Sequence, residues 1–277
     1  MGEPPDAIGG VELTAFYCCA QRERDAREAD PLCGDTYAAR FLGGDVRERL
    51  APLLADGAAY AICVARHRLV DDLLRDELSR DPERRVLVDG AGFDTRAYRL
   101  PGGRWLEIEH PSILAVKEAA LPASAAPRPL ERVAHDFRRE SLADTLAPHA
   151  GGDEALVVLE GVTPYLDAAA LDTVARTLLS ALPRARLHVD ISTAAYRRWF
   201  GAGTNAKLAE LGAAFAPAER HPREIIESAG WRAIACASIA DRARAWRPGL
   251  LPRTGSRHAE VAQREGYAVW TFAPPSA

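Results

Sequence analysis

A glycine-containing turn carries the sharpest chemical signal in the sequence. In the run VLVDGAGFDTRAYRL (86–100), a β-rich segment ends at Asp89 and is followed by Gly90, Ala91 and Gly92. Glycine lets the backbone turn tightly and lets a ligand approach it closely. In an open α/β sheet, ligands bind at the carboxyl ends of strands. The turn is therefore a candidate ligand site, although an ordinary strand-to-helix turn has the same form.

The residues after these glycines discriminate between classes of ligand. The dinucleotide fingerprint GxGxxG requires a third glycine at position 95, where the chain has Thr95. Asp94 stands at the start of the next predicted helix, where its carboxylate would repel a pyrophosphate. S-adenosylmethionine carries a sulfonium and an ammonium group but no phosphate, so it would not meet this repulsion. The sequence therefore favours S-adenosylmethionine over a dinucleotide.

An acidic residue follows at a spacing typical of ribose recognition. Glu109 lies 19 residues after Gly90, and a carboxylate about 20 residues beyond such a turn can accept hydrogen bonds from ribose hydroxyls. Glu107 would point to the same side of the strand, because side chains alternate along a strand. Alternatively, Glu107 could be a charged residue that faces solvent.

Composition limits the classes of protein to which the chain can belong. Hydrophobic residues make up 48% and charged residues 27% of the 277 residues, which is typical of one or two globular domains. The net charge of −4 gives no positive excess for binding nucleic acid. No run of about 18 apolar residues predicts a membrane span. The acidic segment 1–10 lacks the apolar run of a signal peptide, so we expect a cytoplasmic protein.

The cysteines indicate neither a disulfide framework nor a metal site. Their number is odd and no two form a CxxC pair. They are Cys18, Cys19, Cys33, Cys63 and Cys236. We expect buried thiols in a reducing compartment and no bound metal.

Seven β-rich runs alternate with helical stretches from residue 85 onward. The candidate strands are 85–89, 104–108, 130–135, 155–160, 185–191, 231–239 and 267–272. Several are continuous apolar runs, which are typical of strands buried on both faces. Strands alternating with helices predict a parallel, doubly wound α/β sheet. The last two strands flank a proline- and glycine-rich loop at 247–257, and a terminal strand reached this way can run antiparallel.

Two further segments would cover the sheet. Residues 12–84 place apolar residues three and four apart, which predicts a helical N-terminal cover. Residues 192–222 combine aromatic and small residues and predict a helical insertion above the sheet that could close a substrate pocket. No linker composition separates these parts, so we interpret residues 1–277 as one domain.

Several blocks of the sequence occur together in an order that a known family shares. They include GAGFDTRAYRL, LEIEHPSILAVKEAAL, LVVLEGVTPYLD (156–167) and ARHRLVDDLL (65–74). TAFYCCAQRERDA and DPLCGDTYA, within residues 14–38, add two N-terminal blocks. Together, over about 14–192, they resemble the leucine carboxyl methyltransferase-like family of S-adenosylmethionine-dependent O-methyltransferases. Bacterial members of that family often serve polyketide and other natural-product pathways.

The resemblance implies a fold and a set of cofactor contacts. The fold would be α/β, a class I methyltransferase with a Rossmann-like, seven-stranded sheet in the order 3-2-1-4-5-7-6, in agreement with the seven runs counted above. The implied cofactor-binding residues are Arg66 for the methionyl carboxylate, Gly90, Gly92 and Asp94 on the turn, Glu109 for the ribose, Asp136 and Phe137 for the adenine, and Glu160 for the amino group. Taken alone, Arg66 could also be a surface ion-pair partner and Asp136 a helix cap.

Three positions depart from the family's usual pattern. Asp89 stands where the family usually has Leu, Glu109 where it has Asp, and His67 where it has Thr. Glu109 is one methylene longer than Asp, which could shift the ribose contact. None of the three departures removes an expected charge, so we still expect cofactor binding.

The predicted chemistry is methyl transfer to a small-molecule carboxylate. A carboxylate is ionised at neutral pH and needs no general base, only a cation and hydrogen-bond donors that orient it. The candidate residues are Tyr17, Arg22, Arg24 and Tyr165. A phenol or alcohol would instead need a base, for which His110 and His221 are available. Candidate aromatic residues for an apolar acceptor cavity are Phe16, Tyr17, Trp199 and Phe200, although core packing is the favoured interpretation for any single one of them.

Other functions stay open on the sequence alone. They are methylation of a hydroxyl or an amine, methylation of a peptide carboxyl terminus, and a non-catalytic module that binds S-adenosylmethionine. A nicotinamide oxidoreductase is disfavoured by Asp94 and by the missing third glycine. The sequence gives no oligomeric state.

Overall fold

The strands form one sheet in the order predicted. The computed structural model describes residues 10–210, 212–217 and 220–275, so the predicted lack of a signal peptide concerns a segment largely outside the described residues. The strands are β1 (Arg85–Asp89), β2 (Arg104–Glu109), β3 (Leu130–Ala134), β4 (Ala155–Leu159), β5 (Arg186–Ser192), β6 (Arg232–Ser238) and β7 (Tyr267–Ala273). Their order is β3-β2-β1-β4-β5-β7-β6. The pairs from β3 to β5 are parallel, whereas β7 runs antiparallel to β5 and β6. The predicted fold class is confirmed.

Helices flank this sheet and precede it in the chain. They are α1 (Val11–Ala26), α2 (Gly44–Leu54), α3 (Gly57–Arg80), α4 (Arg96–Arg99), α5 (Pro111–Ala120), α6 (Leu142–Leu146), α7 (Ala168–Ala181), α8 (Ala194–Tyr196), α9 (Ala202–Glu210), α10 (Pro222–Ser228), α11 (Ile239–Trp246) and α12 (Arg257–Glu265). A π-helical turn at Arg197–Gly201 joins α8 to α9. No helix in the described part of the chain is both long and apolar enough to span a bilayer.

The apolar strand runs arise because both faces of the sheet are covered. In β1, Val86 and Val88 pack into the hydrophobic cluster that contains α1 and α3. Leu87 between them packs into the opposite cluster, with Leu171 and Leu178 of α7. Alternate residues of one strand thus enter different cores, so no position in the strand favours a polar residue.

The helical cover is fixed to the sheet by caps and buried polar groups. Asp56 caps α3 by accepting hydrogen bonds from the amides of Ala58 and Ala59. After α1, the buried Asp25 carboxylate accepts from the amides of Leu32 and Cys33, each at 2.9 Å. It accepts further from Gly34 and from the hydroxyl of Tyr60 in α3. One carboxylate therefore shapes the turn and ties it to α3.

We expect Asp25→Ala to lower the free energy of unfolding by about 2–4 kcal/mol, because three amides and a hydroxyl lose a buried acceptor. Urea denaturation measures the change. Asp30→Ala, at an exposed position of the same turn, is the matched control and should alter stability by about 0.5 kcal/mol or less. A loss of the same small size at Asp25 would contradict this account of the turn.

Candidate active site

A cavity of about 670 Å³ opens at the carboxyl edge of the parallel strands. Its walls come from α1, α3, the turn after β1, the ends of β2 and β4, and the segment after β5. All eleven residues predicted for the site line it: Tyr17, Arg22, Arg66, Gly90, Gly92, Asp94, Glu109, Asp136, Phe137, Glu160 and Tyr165. The volume lies within the roughly 300–1,000 Å³ of small-molecule sites. The roles of the individual residues stay predictions.

The turn after β1 depends on its glycines. Gly90 and Gly92 have φ angles of +71° and +47°, a region that other residues rarely adopt. A Cβ atom at Gly90 would lie 2.6 Å from Cγ2 of Val162. The amides of Gly90 and Ala91 donate to the carbonyl of Ile108 in β2. The turn is therefore held open beside the sheet edge, with its backbone accessible to a ligand.

Two carboxyl groups lie together behind this turn. Oε2 of Glu109 accepts from the Gly92 amide at 2.5 Å, and Oε1 accepts from the His110 amide at 2.6 Å. Burial nevertheless raises the pKa of Glu109. Asp89 is fully buried, and its Oδ1 has no hydrogen-bond partner among the described residues. Burial and the nearby Glu109 raise the pKa of Asp89 to about 7.

A buried arginine connects the turn to α3 and β4. The Arg96 side chain has no exposed surface, and it donates to Asp71 from Nε and to Glu160 from Nη2, each at 2.6 Å. Its Nη1 donates to Asp94. Burial alone would raise the pKa of Glu160, but Arg96, His67 and Arg66 hold it well below its usual range. Glu160 is therefore ionised at the end of β4.

The charge argument based on Asp94 requires correction. Its carboxylate accepts from both the amide and the guanidinium of Arg96, which neutralises it. Arg96 outweighs burial and lowers the pKa of Asp94. Asp94 therefore gives little repulsion toward a phosphate. The carboxyl group at the turn that has no ion-pair partner among the described residues and lines the cavity is instead Glu109.

Arg66 lies where α3, β4 and β5 meet. Its Nε donates to Oε1 of Glu160 at 3.1 Å, and Nη1 donates to Asp190 at 3.3 Å and to the hydroxyl of Tyr267 at 2.8 Å. Nη2 lies 3.7 Å from the sulfur of Cys18. Arg66 is thus an internal ion-pair partner that also presents its guanidinium to the cavity.

The two predicted catalytic tyrosines keep their protons. Tyr17 lines the cavity, and its hydroxyl is buried with no hydrogen-bond partner in the described part of the chain. Tyr165 packs edge-on against Phe215, with ring centroids 5.5 Å apart. Burial raises the pKa of both phenols. Each is therefore a hydrogen-bond donor for a ligand rather than a base.

The arginine candidates separate clearly. Arg22 is buried, donates from Nε to Asp35 at 2.9 Å and from Nη2 to the carbonyl of Phe93 at 2.7 Å, and so joins α1 to the turn after β1. Arg24 was a wrong choice, because it is exposed, stacks over Tyr60 and does not line the cavity. Residues two apart on a helix point about 200° apart, so only one of the two arginines can face the site.

Four other candidate residues also lie outside the cavity wall. Phe16 packs against Phe93 in the core, at 4.4 Å between ring centroids, and Trp199 is 55% exposed outside the cavity wall. Glu107 is neither a site residue nor solvent-facing, since it is buried in ion pairs with Lys117 and Arg132. His221 caps α10 through the amide of Arg223 instead of facing the cavity.

Sequence reasoning missed three residues of the site. Asp190 of β5 accepts from the Gly161 amide at 2.6 Å and from the Tyr267 hydroxyl at 2.6 Å. Arg197, in the π-helical turn, lines the cavity beside Phe215. Asp190 carried a signal, because it is a charged residue inside the apolar run LHVDI. Tyr267 and Arg197 carried none, because Tyr267 meets Asp190 across 77 residues and Arg197 faces two neutral partners.

The arrangement fits S-adenosylmethionine. The glycine turn exposes backbone, Glu109 reaches the cavity from the end of β2, and the Tyr17 hydroxyl lacks a partner that a ligand could supply. Phe137, 43% exposed at the cavity rim, offers an aromatic face. The carboxylates of Glu109 and Glu160 are suited to the hydroxyl and ammonium groups of such a ligand.

Comparison with known proteins decides the family. The family model described as leucine carboxyl methyltransferase matches residues 15–179. The chain belongs to the leucine carboxyl methyltransferase family. A Mycobacterium bovis protein named as an S-adenosyl-L-methionine-dependent methyltransferase is 30% identical over 218 residues, covering 70% of each chain. A Mycolicibacterium gilvum protein of the same name is 32% identical over 214 residues, covering 68% of this chain and 70% of the relative.

Solved structures share the fold of this leucine carboxyl methyltransferase family member. A structure titled as a methyltransferase from Thermobifida fusca superposes with a TM-score of 0.62 at 16% identity and covers 99% of this chain and 98% of that chain. Magnesium protoporphyrin IX methyltransferase from Synechocystis, with bound S-adenosylhomocysteine, gives 0.50 at 16% identity, covering 87% and 100%. This family member is an S-adenosylmethionine-dependent methyltransferase, and the predicted cofactor is confirmed.

Removal of the central arginine should destabilise this methyltransferase strongly. We expect Arg96→Met to lower the free energy of unfolding by about 3–5 kcal/mol, because three buried carboxylates lose their shared cation. Urea denaturation measures the loss. Arg176→Met is the control, since the ion pair of that arginine with Asp172 of α7 is exposed and its loss should cost under about 1 kcal/mol. Equal, small losses in both variants would disprove the central role of Arg96.

Neutralising Asp89 should change how stability depends on pH. Aspartic acid loses its proton near pH 4 in an unfolded chain, whereas folded Asp89 keeps it to about pH 7. The folded protein therefore binds one more proton between these values, and its free energy of unfolding falls as the pH rises through this window. Asp89→Asn has no such proton, so its free energy of unfolding should not fall in this window. The difference in free energy of unfolding between this variant and the wild type should therefore increase from pH 5 to pH 7 by up to about 1.4 kcal/mol per pH unit.

Denaturation of both proteins across pH 4–8 tests this expectation. Asp153→Asn, at an exposed position, is the control and should leave the pH dependence unaltered. A difference between Asp89→Asn and wild type that stays constant with pH would show that Asp89 is ionised throughout.

Proposed function

We propose that this methyltransferase transfers a methyl group to the carboxylate oxygen of a small-molecule acid, such as an intermediate of natural-product biosynthesis. The observation that carries the proposal is the chemistry of the cavity wall around Tyr17 and Tyr165, which offers protonated phenols as hydrogen-bond donors and, among the described residues, no histidine suited to remove a proton beside them. An acceptor in such a site must already be nucleophilic when it binds, and a carboxylate is ionised at neutral pH.

The histidines of the cavity wall support this proposal. His67 is buried, and its Nδ1 and Nε2 each lie 2.8 Å from an arginine nitrogen, those of Arg96 and Arg99. Burial and Arg96 lower its pKa, so His67 is a poor proton acceptor. His110 caps α5 next to Ser112 at the end of β2, a strand that β1 separates from β4, after which Tyr165 follows. Neither histidine is therefore placed to deprotonate a hydroxyl beside Tyr165.

The donors on the wall supply orientation. The hydroxyls of Tyr17 and Tyr165 stay protonated, so each can donate a hydrogen bond to an acceptor oxygen. Methyl transfer requires the attacking oxygen to lie about 3 Å from the methyl carbon and in line with the bond that breaks. Two donors on separate elements, α1 and the turn after β4, restrict the position of that oxygen from two sides.

The proposed step needs no proton transfer. Bound S-adenosylmethionine supplies a methyl group attached to a positively charged sulfur. A carboxylate oxygen forms the new carbon–oxygen bond, the carbon–sulfur bond breaks, and its electron pair stays on sulfur. The negative charge of the carboxylate and the positive charge of the sulfur are both neutralised in this step. Exclusion of water by α1 and by the segment after β5 would favour this neutralisation.

The chemical stability of the product tests the proposal. The enzyme is incubated with methyl-labelled S-adenosylmethionine and 4-phenylbutyrate, 4-phenylbutan-1-ol or 4-phenylbutylamine, which share one skeleton. We expect label only on the acid, released as methanol by mild alkali, since an ester hydrolyses and an ether or N-methyl group does not. We also expect kcat/KM for the acid to be level from pH 6 to pH 9, because the carboxylate is already ionised and no proton has to be removed from it.

Other outcomes would favour the alternative functions. Alkali-stable label on the alcohol, with kcat/KM rising with pH, would indicate hydroxyl methylation, and label on the amine would indicate N-methylation. Label restricted to peptides with a free carboxyl terminus would indicate a peptide carboxyl methyltransferase. Tight binding of S-adenosylhomocysteine without any labelled product would favour a non-catalytic module.

A further inference from the structure

The segment after β5 places in the cavity wall a guanidinium that forms no ion pair with a described residue. Nε of Arg197 donates to Oγ of Ser192 at 2.9 Å, and Nη1 donates to the carbonyl of Ala216 at 3.0 Å. Both partners are neutral. No Asp or Glu oxygen within the described ranges forms an ion pair with Arg197, and its Nη2 has no hydrogen-bond partner there. One face of a fixed cation is therefore available to a ligand.

The other arginines of the wall differ from Arg197. Arg22 is paired with Asp35, Arg66 with Glu160 and Asp190, and Arg139 with Asp136. Arg138 also has no ion pair among the described residues, but its side chain is exposed to water at the rim. Arg197 is half-buried, and burial lowers its pKa. A desolvated cation without a counterion is costly, so an anionic ligand there gains more than at the rim.

Aromatic residues line the same part of the chain's cavity as this guanidinium. Its carbon lies 5.7 Å from the ring centroid of Phe215, which packs on Tyr165. Tyr196 and Phe200 pack together at 5.4 Å between centroids on the same π-helical region. We call the part of the cavity lined by Arg197, Phe215, Tyr165, Tyr196 and Phe200 the acceptor compartment. Apolar walls around one cation fit an acid with an aromatic or aliphatic body.

We propose that Nη2 of Arg197 binds the carboxylate of the methyl acceptor, and that it thereby selects amphiphilic acids over neutral compounds. This assignment rests on the proposed carboxylate methylation. Because Nη2 can hold one carboxylate oxygen, the second oxygen is left for the methyl group. The bonds of Nε and Nη1 to Ser192 and Ala216 fix the direction of the guanidinium before the acid arrives.

The reaction itself would weaken this contact. The acid is anionic and the ester is neutral, so the attraction to Arg197 declines as the new bond forms. Arg197 therefore stabilises the bound acid more than the transition state, and its loss should raise KM with little loss of kcat. It should also discriminate the acid from the ester product, which favours release of the product.

Binding of a matched acid and ester tests the assignment. With saturating S-adenosylhomocysteine, isothermal titration measures Kd for 4-phenylbutyrate, methyl 4-phenylbutyrate and 4-phenylbutan-1-ol. We expect the wild type to bind the acid at least about 10-fold more tightly than the ester. Arg197→Gln should weaken the acid about 10- to 100-fold, the effect of a lost charge-assisted hydrogen bond, and leave the ester within about 3-fold.

Matched variants separate charge from folding. Arg198→Gln, at the neighbouring exposed position outside the cavity wall, should leave all affinities unchanged. Arg197→Lys keeps the charge but not the fork, so it should retain part of the preference for the acid. Tm and the affinity for S-adenosylhomocysteine show whether Arg197→Gln folds. If it does not, the ratio of the Kd values for acid and ester in Arg197→Lys is used to test the assignment. A ratio equal to that of the wild type would overturn the assignment.

Further results would overturn it directly. They are equal binding of acid and ester by the wild type, or an affinity for the acid that falls in Arg138→Gln and not in Arg197→Gln. The labelled-methyl assay separates the two proposals. Acid binding that depends on Arg197 without ester formation would refute the proposed function alone, whereas ester formation with an unchanged KM in Arg197→Gln would refute the role of Arg197 alone.

Discussion

The buried guanidinium of Arg96 holds the site together. It bonds to Asp71 of α3, to Asp94 of the turn after β1 and to Glu160 at the end of β4. These three elements are distant in sequence, and each brings a carboxylate into a region without water. One planar cation satisfies all three at fixed angles, which an ammonium group of lysine could not do. The position of Arg66 relative to the glycine turn follows from this one residue, because α3 carries Arg66 and the turn carries Asp94.

The carboxyl edge of the sheet has acidic groups of two kinds. Asp94 and Glu160 are neutralised by arginines, so they shape the cavity and contribute little net field. Asp89 and Glu109 have no cation within 4 Å among the described residues, and burial raises the pKa of each. Glu109 at the end of β2 is therefore the carboxyl group that could face a positively charged donor without a competing cation, whereas Asp89 keeps its proton to about pH 7. The sequence displays charges, but only the fold shows which of them are paired.

Most of the fold, and about half of the site, could be predicted from the sequence. The strand runs agree with the structure to within one or two residues at each end, because strands buried on both faces are long apolar runs. The residues predicted for the cofactor could be found in the sequence because they cluster directly after β1, β2 and β4. Arg197 and Tyr267 were not readable, because the first faces two neutral partners and the second meets Asp190 across 77 residues. Arg24 and Arg22 could have been separated by helix geometry alone.

The reversal of the last strand explains how the acceptor side is built. Because β7 is antiparallel to β5, its first residue, Tyr267, pairs with Ser192 at the cavity edge. A parallel strand would place its last residue there instead. The Tyr267 hydroxyl therefore reaches Arg66 and Asp190, while Arg197 follows directly after β5. Both residues lie beyond the segment 15–179 that defines the family. The family segment thus contains the glycine turn and the ends of β1, β2 and β4, whereas Arg197 and Tyr267 lie outside it.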